Sequence, residues 1–306
     1  MKIQCLSILL ILGSLLPSEG EVLRLELHGP KHEVPIKVYL PDKSNKSTPV
    51  VLFSHGLGGS REGSKYLGEH WSKNGYAVVA LQHPGSDNSV WQDVPRWKRF
   101  KALKEAASQE SFMDRVSDVG VVLDYLESSE HSKTHPLRGR VDSSRIAMTG
   151  HSFGAVTSQA IMGQQFTRFG EAPFLDERIN CVILMSPSQS KHLDKDIAFG
   201  SVKLPVLCMT GTRDDSPIRK EVTPESRKEV YAALPDGQAY QVVFYEGKHS
   251  IFGDHRKNDP RYHEAILEIT THFLDAYLKE DKGSLQWLRS ERARESLATE
   301  DTWEWK

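Results

Sequence analysis

The sequence predicts an α/β fold, with a mostly parallel central sheet of about eight strands and helices on both faces. Short continuous apolar runs recur along the chain, as expected for strands buried on both sides. Apolar residues at helix spacing lie between those runs. Two alternating segments near the start add an antiparallel pair.

Residues 1–20 stand apart from this pattern. Lys2 gives a short positive start, Ile3 to Leu16 is largely apolar, and Ser18 and Gly20 place small residues three and one before a cut after Gly20. This is the layout of a secretory signal peptide, and the apolar stretch is short for a membrane span. The expectation is export, secreted or periplasmic, with no stable membrane span after cleavage. Residues 21–306 are then expected to form a single domain.

The alternating segments run from Val22 to His28 and from Val34 to Leu40. Apolar runs follow at 49–54, 76–81, 146–148, 181–185, 206–209 and 242–245. Met113, Val116, Val119, Leu123 and Leu126 recur at helix spacing, as do Tyr262, Ile266, Ile269, Phe273 and Tyr277. The chain has 306 residues and a formal net charge of −2, with both signs mixed along its length. Nothing in this balance points to a nucleic-acid partner. Outside the leader the cysteines are Cys181 and Cys208, both in buried-strand runs, and the expectation is two free thiols.

In an open α/β sheet the site lies at the carboxyl ends of the strands. The run at 146–148 leads into Gly150-His151-Ser152-Phe153-Gly154 and then a helical stretch. G-x-S-x-G alone arises by chance in roughly one chain in ten of this length. Between a strand and a helix it reads as a tight turn that projects a nucleophilic Ser152. The run ending at Ser54 leads into His55-Gly56-Leu57-Gly58-Gly59. Acyl transfer needs two N–H donors for the developing oxyanion. Phe153 should supply one and Leu57 the other, with Gly56 as the second candidate. The run at 206–209 leads to Asp214 and Asp215, and the run at 242–245 leads to His249. Serine, acid and histidine thus follow separate strands, and the imidazole can take the hydroxyl proton while the carboxylate orients it. Asp214 is the first choice of acid and Asp215 the alternative. His255 is a rival base to His249. No metal site and no cofactor-binding loop is read from the sequence.

Residues 83–110 follow a strand end and could form a cap insertion. Trp91, Trp97 and Phe100 are candidates to wall an acyl or aryl pocket. His83 and Asp87 read as loop-fixing residues and His151 as buried structure. The tail from Leu285 to Lys306 carries Trp287, Trp303 and Trp305 and suits either a packed helix or a partner surface. Asn45-Lys46-Ser47 is a glycosylation sequon.

Residues 48 to about 280 resemble the α/β-hydrolase superfamily, and within it the platelet-activating-factor acetylhydrolase and dienelactone-hydrolase-like branch. The resemblance rests on Phe53 to Gly58, Arg145 to Gly154 and Thr210 to Pro217, with support from Gln82 to Asp87 and from Asp114, Arg115 and Asp118. It implies an α/β-hydrolase fold, Ser152 and His249 as triad members, and Leu57 and Phe153 as oxyanion donors. One departure matters. In the animal plasma acetylhydrolases the acid follows the strand after the nucleophile helix. Here that strand runs into Ser186-Pro187-Ser188-Gln189. The acid then comes from the next strand, as Asp214, which brings the chain closer to the bacterial dienelactone-hydrolase-like proteins and turns the expectation away from phospholipids. The implied activity is hydrolysis of a small-molecule or lipid-like ester through an acyl-enzyme, on short-chain or aryl esters. A lipase, a polyester hydrolase, a phospholipid acetylhydrolase or a peptidase would use the same triad. A non-catalytic binding protein on a hydrolase scaffold is the alternative of another class.

Overall fold

The computed structural model describes residues 20–42, 47–167, 169, 172–189, 193–254 and 260–306. The predicted leader, except Gly20, lies outside them, as do Asn45 and Lys46 of the sequon and His255. The chain opens with the expected antiparallel pair, β1 (Val22–His28) and β2 (Glu33–Tyr39). The apolar runs form β3 (Thr48–Ser54), β4 (Ala77–Leu81), β5 (Val141–His151), β6 (Ile179–Met185), β7 (Val206–Arg213) and β8 (Ala239–Lys248). A short strand, β9 (Thr302–Trp305), closes the far edge. Their order is β1-β2-β4-β3-β5-β6-β7-β8-β9, parallel from β4 to β8 and antiparallel at both edges.

The continuous runs have a simple cause. Successive side chains in a strand point to opposite faces, so a strand covered on both sides must be apolar throughout. In β3, Val50 and Leu52 join one core while Val51 and Phe53 join the other. The first core is roofed by α4 (Gln109–His131), α5 (Phe153–Ile161), α6 (Lys195–Phe199) and α7 (Pro224–Ala233). The second is roofed by α1 (Lys65–Lys73), α8 (Pro260–Leu278) and α9 (Lys282–Leu288). Cys208 belongs to the first core and Cys181 to the second, so the sheet separates the two free, buried thiols.

Two short helices, α2 (Ser89–Gln92) and α3 (Arg96–Ala106), lie between β4 and α4, within the stretch expected to form a cap. The tail combines both structural types: α9, then α10 (Glu291–Glu295), then β9 paired with Tyr240 to Val243 of β8. Trp303 stacks on Tyr240 and donates its indole N–H to the Leu288 carbonyl at 3.1 Å. Trp287 stacks on His272. Thr302 to Trp305 alternate polar and aromatic over only four residues, the shortest length at which alternation reads as a strand, and the ninth strand goes unread in the sequence.

Candidate active site

The loops after β3, β5, β7 and β8 meet at one end of the sheet. Ser152 sits between β5 and α5 with φ 56° and ψ −113°, outside the regions favoured by non-glycine residues. The glycines around it are sterically required. A β-carbon at position 150 would lie 2.3 Å from the Gly154 backbone, and one at position 154 would lie 1.9 Å from the Ser54 carbonyl oxygen. The turn is held by the Ser152 N–H, which donates to the Met185 carbonyl at 2.9 Å.

β7 and β8 approach closely where they end. A β-carbon at Gly211 would lie 2.2 Å from the Gly247 carbonyl oxygen. Asp214 and His249, which starts a single 3₁₀ turn (His249–Phe252), are thereby brought together. His249 Nδ1 lies 2.6 Å from Asp214 Oδ1, and His249 Nε2 lies 2.9 Å from Ser152 Oγ. With Nδ1–H donated to the carboxylate, Nε2 is free to accept from the hydroxyl. Asp214 is fully buried and its second oxygen accepts from Thr210 Oγ1 at 2.9 Å. Asp215 is exposed, and the carboxylate on His249 Nδ1 is that of Asp214. His151 is half-buried rather than buried, because its ring lies against the His249 ring and faces the cavity.

A cavity of about 570 Å³ opens beside Ser152. Leu57 and Phe153 line it, as do Phe53, Leu103, Val156, Ile218 and Val222. Gly56 lies close as well, since a β-carbon there would sit 3.5 Å from that of Ser152. The three aromatic candidates of the 83–110 stretch divide. Phe100 lines the cavity. Trp91 stands behind the wall, with its indole N–H donating to the Gly58 carbonyl at 2.8 Å. Trp97 is outside the lining and 78 % exposed, so its reading as a pocket wall is corrected. Phe100 and Leu103 take the positions of α3 that reach the cavity, and Trp97, one turn earlier on the helix, lies beyond its rim.

Two buried arginines organise the surroundings, and neither has a role that the sequence reading assigns. Arg115 donates to the His55 carbonyl at 2.7 Å and to Ser86 Oγ at 2.8 Å, and its guanidinium packs 4.4 Å from the Phe153 ring centroid. It therefore ties the loop after β3 to the residue following Ser152. Burial pushes Arg115 down to about 9, which leaves it protonated at neutral pH. Burial, helped by Arg115, holds His55 down at about 3 and His83 well below its ordinary value. Behind the loop, His83 bridges Ser54 Oγ (2.8 Å) and Asp118 (2.8 Å). This second serine–histidine–carboxylate relay is entirely buried and serves as structure. Asp87 fixes the adjacent turn by accepting from Gln82 and from Ser89. Arg227 donates to the carbonyls of Asp214, Ser186 and Pro187 at 2.7, 2.7 and 2.9 Å, and its Nε lies 3.1 Å from Asp214 Oδ1. A sequence signal exists for both. Arg227 keeps step with buried Pro224 and Val230, and Arg115 with buried Phe112 and Val119, so each is a charge on an apolar helix face.

Comparison with known proteins finds a serine-hydrolase family and esterase relatives. The family model described as "Serine aminopeptidase, S33" matches residues 45–199, just over half of the chain. The match contains the loop after β3 and the Ser152 turn, and it ends before Asp214 and His249. Platelet-activating factor acetylhydrolase of Cavia porcellus is 26% identical over 191 residues, covering 55% of this chain and 41% of the relative. The enzyme of that name from Canis lupus familiaris is 24% identical over 159 residues, 43% of this chain and 36% of the relative. Cutinase 2 of Thermobifida cellulosilytica is 25% identical over 177 residues, 58% of this chain and 52% of the relative. The chain thus spans about half or less of the length of these curated relatives.

Proposed function

This chain belongs to the serine aminopeptidase S33 family of α/β-hydrolases, and from that premise we propose that it is a serine hydrolase that cleaves carboxylic esters through an acyl-enzyme on Ser152. The observation that carries the proposal is the unbroken chain of contacts from Ser152 Oγ through His249 to buried Asp214. Ser152 Oγ bonds to the acyl carbon as its proton passes to His249 Nε2. Asp214 holds the imidazole in register and balances its positive charge. The N–H groups of Phe153 and Leu57 receive the oxyanion. The carbon–oxygen bond then breaks, His249 protonates the leaving alcohol, and water repeats the sequence on the acyl-enzyme.

The cavity supports an ester with a compact apolar acyl or aryl group. Its volume falls within the usual range of small-molecule sites, roughly 300–1,000 Å³. An aminopeptidase would need an anion for the substrate ammonium. Asp254 is the one carboxylate among the described residues lining the cavity, and it is engaged by the backbone N–H groups of Lys65 and Tyr66. The names of the relatives include an acetylhydrolase and a cutinase, which fits ester cleavage. We read residues 21–306 as one domain with 83–110 as its cap, and residues 1–20 as a secretory leader. The mass of the mature chain from a secreting host tests the leader.

Purified protein is expected to cleave short acyl aryl esters, and Ser152→Ala to lose on the order of 10⁴-fold or more in kcat/KM. A fluorophosphonate probe should label the native chain and not the variant. Normal turnover by Ser152→Ala would overturn the nucleophile. A folded native chain that the probe does not label would point to a binding protein. A series of acyl chain lengths, run beside a peptide panel, defines the substrate class.

A further inference from the structure

Trp97 leaves an observation that ester cleavage does not use. Among the described residues, the two most exposed large apolar side chains are Trp97 at 78 % and Phe100 at 57 %. They lie three residues apart on α3, a helix with no buried residue. Arg96, Lys98, Arg99, Lys101 and Lys104 share that helix with a single acid, Glu105. Charge is mixed over a chain of net −2, yet here it is concentrated and positive. Exposed aromatics among lysines and arginines suit the boundary between water and an anionic lipid layer, where the ring enters the headgroup region and the cations meet phosphate.

We propose that α3 docks this protein on an anionic phospholipid surface, with Trp97 as the inserting anchor and the surrounding basic side chains as its electrostatic contact. The occupant is a lipid surface rather than a free anion because the charge accompanies exposed ring area. Its placement has a consequence. Phe100 belongs to the same helix and also lines the cavity beside Ser152, so docking brings the mouth of that cavity to the surface. An apolar ester then enters without crossing bulk water.

The test uses the full chain, as wild type and as Ser152→Ala, so that binding is read independently of turnover. Vesicles of phosphatidylcholine, with and without phosphatidylglycerol, are co-sedimented with protein at low and high salt. The expected result is binding that requires phosphatidylglycerol and weakens with salt. Each basic residue near such a surface contributes roughly fivefold to partitioning. Lys98→Glu/Lys101→Glu/Lys104→Glu should therefore lower it on the order of 100-fold or more. Trp97→Ser should lower it about tenfold and remove a blue shift in tryptophan emission, while hydrolysis of a water-soluble ester stays at the wild-type rate. Wild-type protein that remains in the supernatant overturns the proposal, and so do variants that bind as wild type does. A wild-type dimer that Trp97→Ser dissociates, with no vesicle binding, would make this face a self-association surface and equally overturn it.

Discussion

Arg227 projects from α7 with its guanidinium against three backbone carbonyls and the side chain of Asp214. Two of those carbonyls belong to Ser186 and Pro187, at the end of β6, where the resembling plasma enzymes carry their acid. Here Ser186 has φ 57°, and its buried hydroxyl has no partner among the described residues. Arg227 thus braces a turn that has no acid and, from the same group, Asp214, the acid of the proposed triad. A planar guanidinium spreads five donors over a fixed fork, a geometry that the three donors on one ammonium nitrogen do not reproduce. We expect Arg227→Lys and Arg227→Gln both to lower kcat on the order of 100-fold, as a displaced catalytic group does, with a much smaller change in KM. Steady-state kinetics beside a thermal melt separate this from loss of folding. A variant that keeps wild-type kcat would show that the brace is dispensable.

At the scale of elements, β9 illustrates how a short strand is stabilised from outside itself. It pairs with the first half of β8, while Trp303 spans from Tyr240 to the end of α9. Asp301, buried just before it, accepts from the Tyr245 N–H and pairs with Arg261 of α8. Trp303→Ala is expected to cost about 3 kcal/mol in urea unfolding and to leave ester turnover nearly unchanged, because the pairing lies away from the His249 end of β8. Removing β9 altogether would uncover an edge of β8, and light scattering should then report aggregation. The helix α4 shows the converse. Its apolar stripe predicts Met113 and Val116 as inward residues, but Phe112, Arg115 and Asp118 take the buried face and leave those two half-buried. Periodicity locates the helix, and the polar network under the loop after β3 sets its rotation.

For the molecule as a whole, neutral buried histidines make stability depend on pH. Burial beside Arg115 keeps His55 at about 3 and His83 low, against an ordinary value of about 6.5. Below that value the unfolded chain takes up protons that the folded chain refuses. Stability is therefore full above about pH 6.5 and falls as pH drops, by roughly 1.4 kcal/mol per pH unit for each such histidine. Asp118 works the other way. Burial holds it above the usual carboxylate range, so the folded chain keeps its proton at a pH where the unfolded chain has lost it. Across that window Asp118 offsets about one histidine. The urea midpoint is expected to fall between about pH 7 and about pH 5, and a flat profile would show that the two rings are already charged in the fold.

Much of this protein is legible in one dimension because its constraints are local or periodic. A strand covered on both faces must be apolar throughout, so six inner strands appear as runs. A strand-to-helix turn as tight as that at Ser152 admits only glycine at positions 150 and 154, so the motif follows from steric necessity. Asp214 and His249 are readable for a related reason, since each follows its strand directly. Arg115 and Arg227 act across long separations and look from the sequence like irregularities in a helical stripe. The ninth strand depends on the free edge of β8, and the outward direction of Trp97 on which turn of α3 meets the cavity. The sequence by itself determined the elements and the residues at their ends. Tertiary structure alone decided which faces meet, because facing depends on packing between segments distant in the chain.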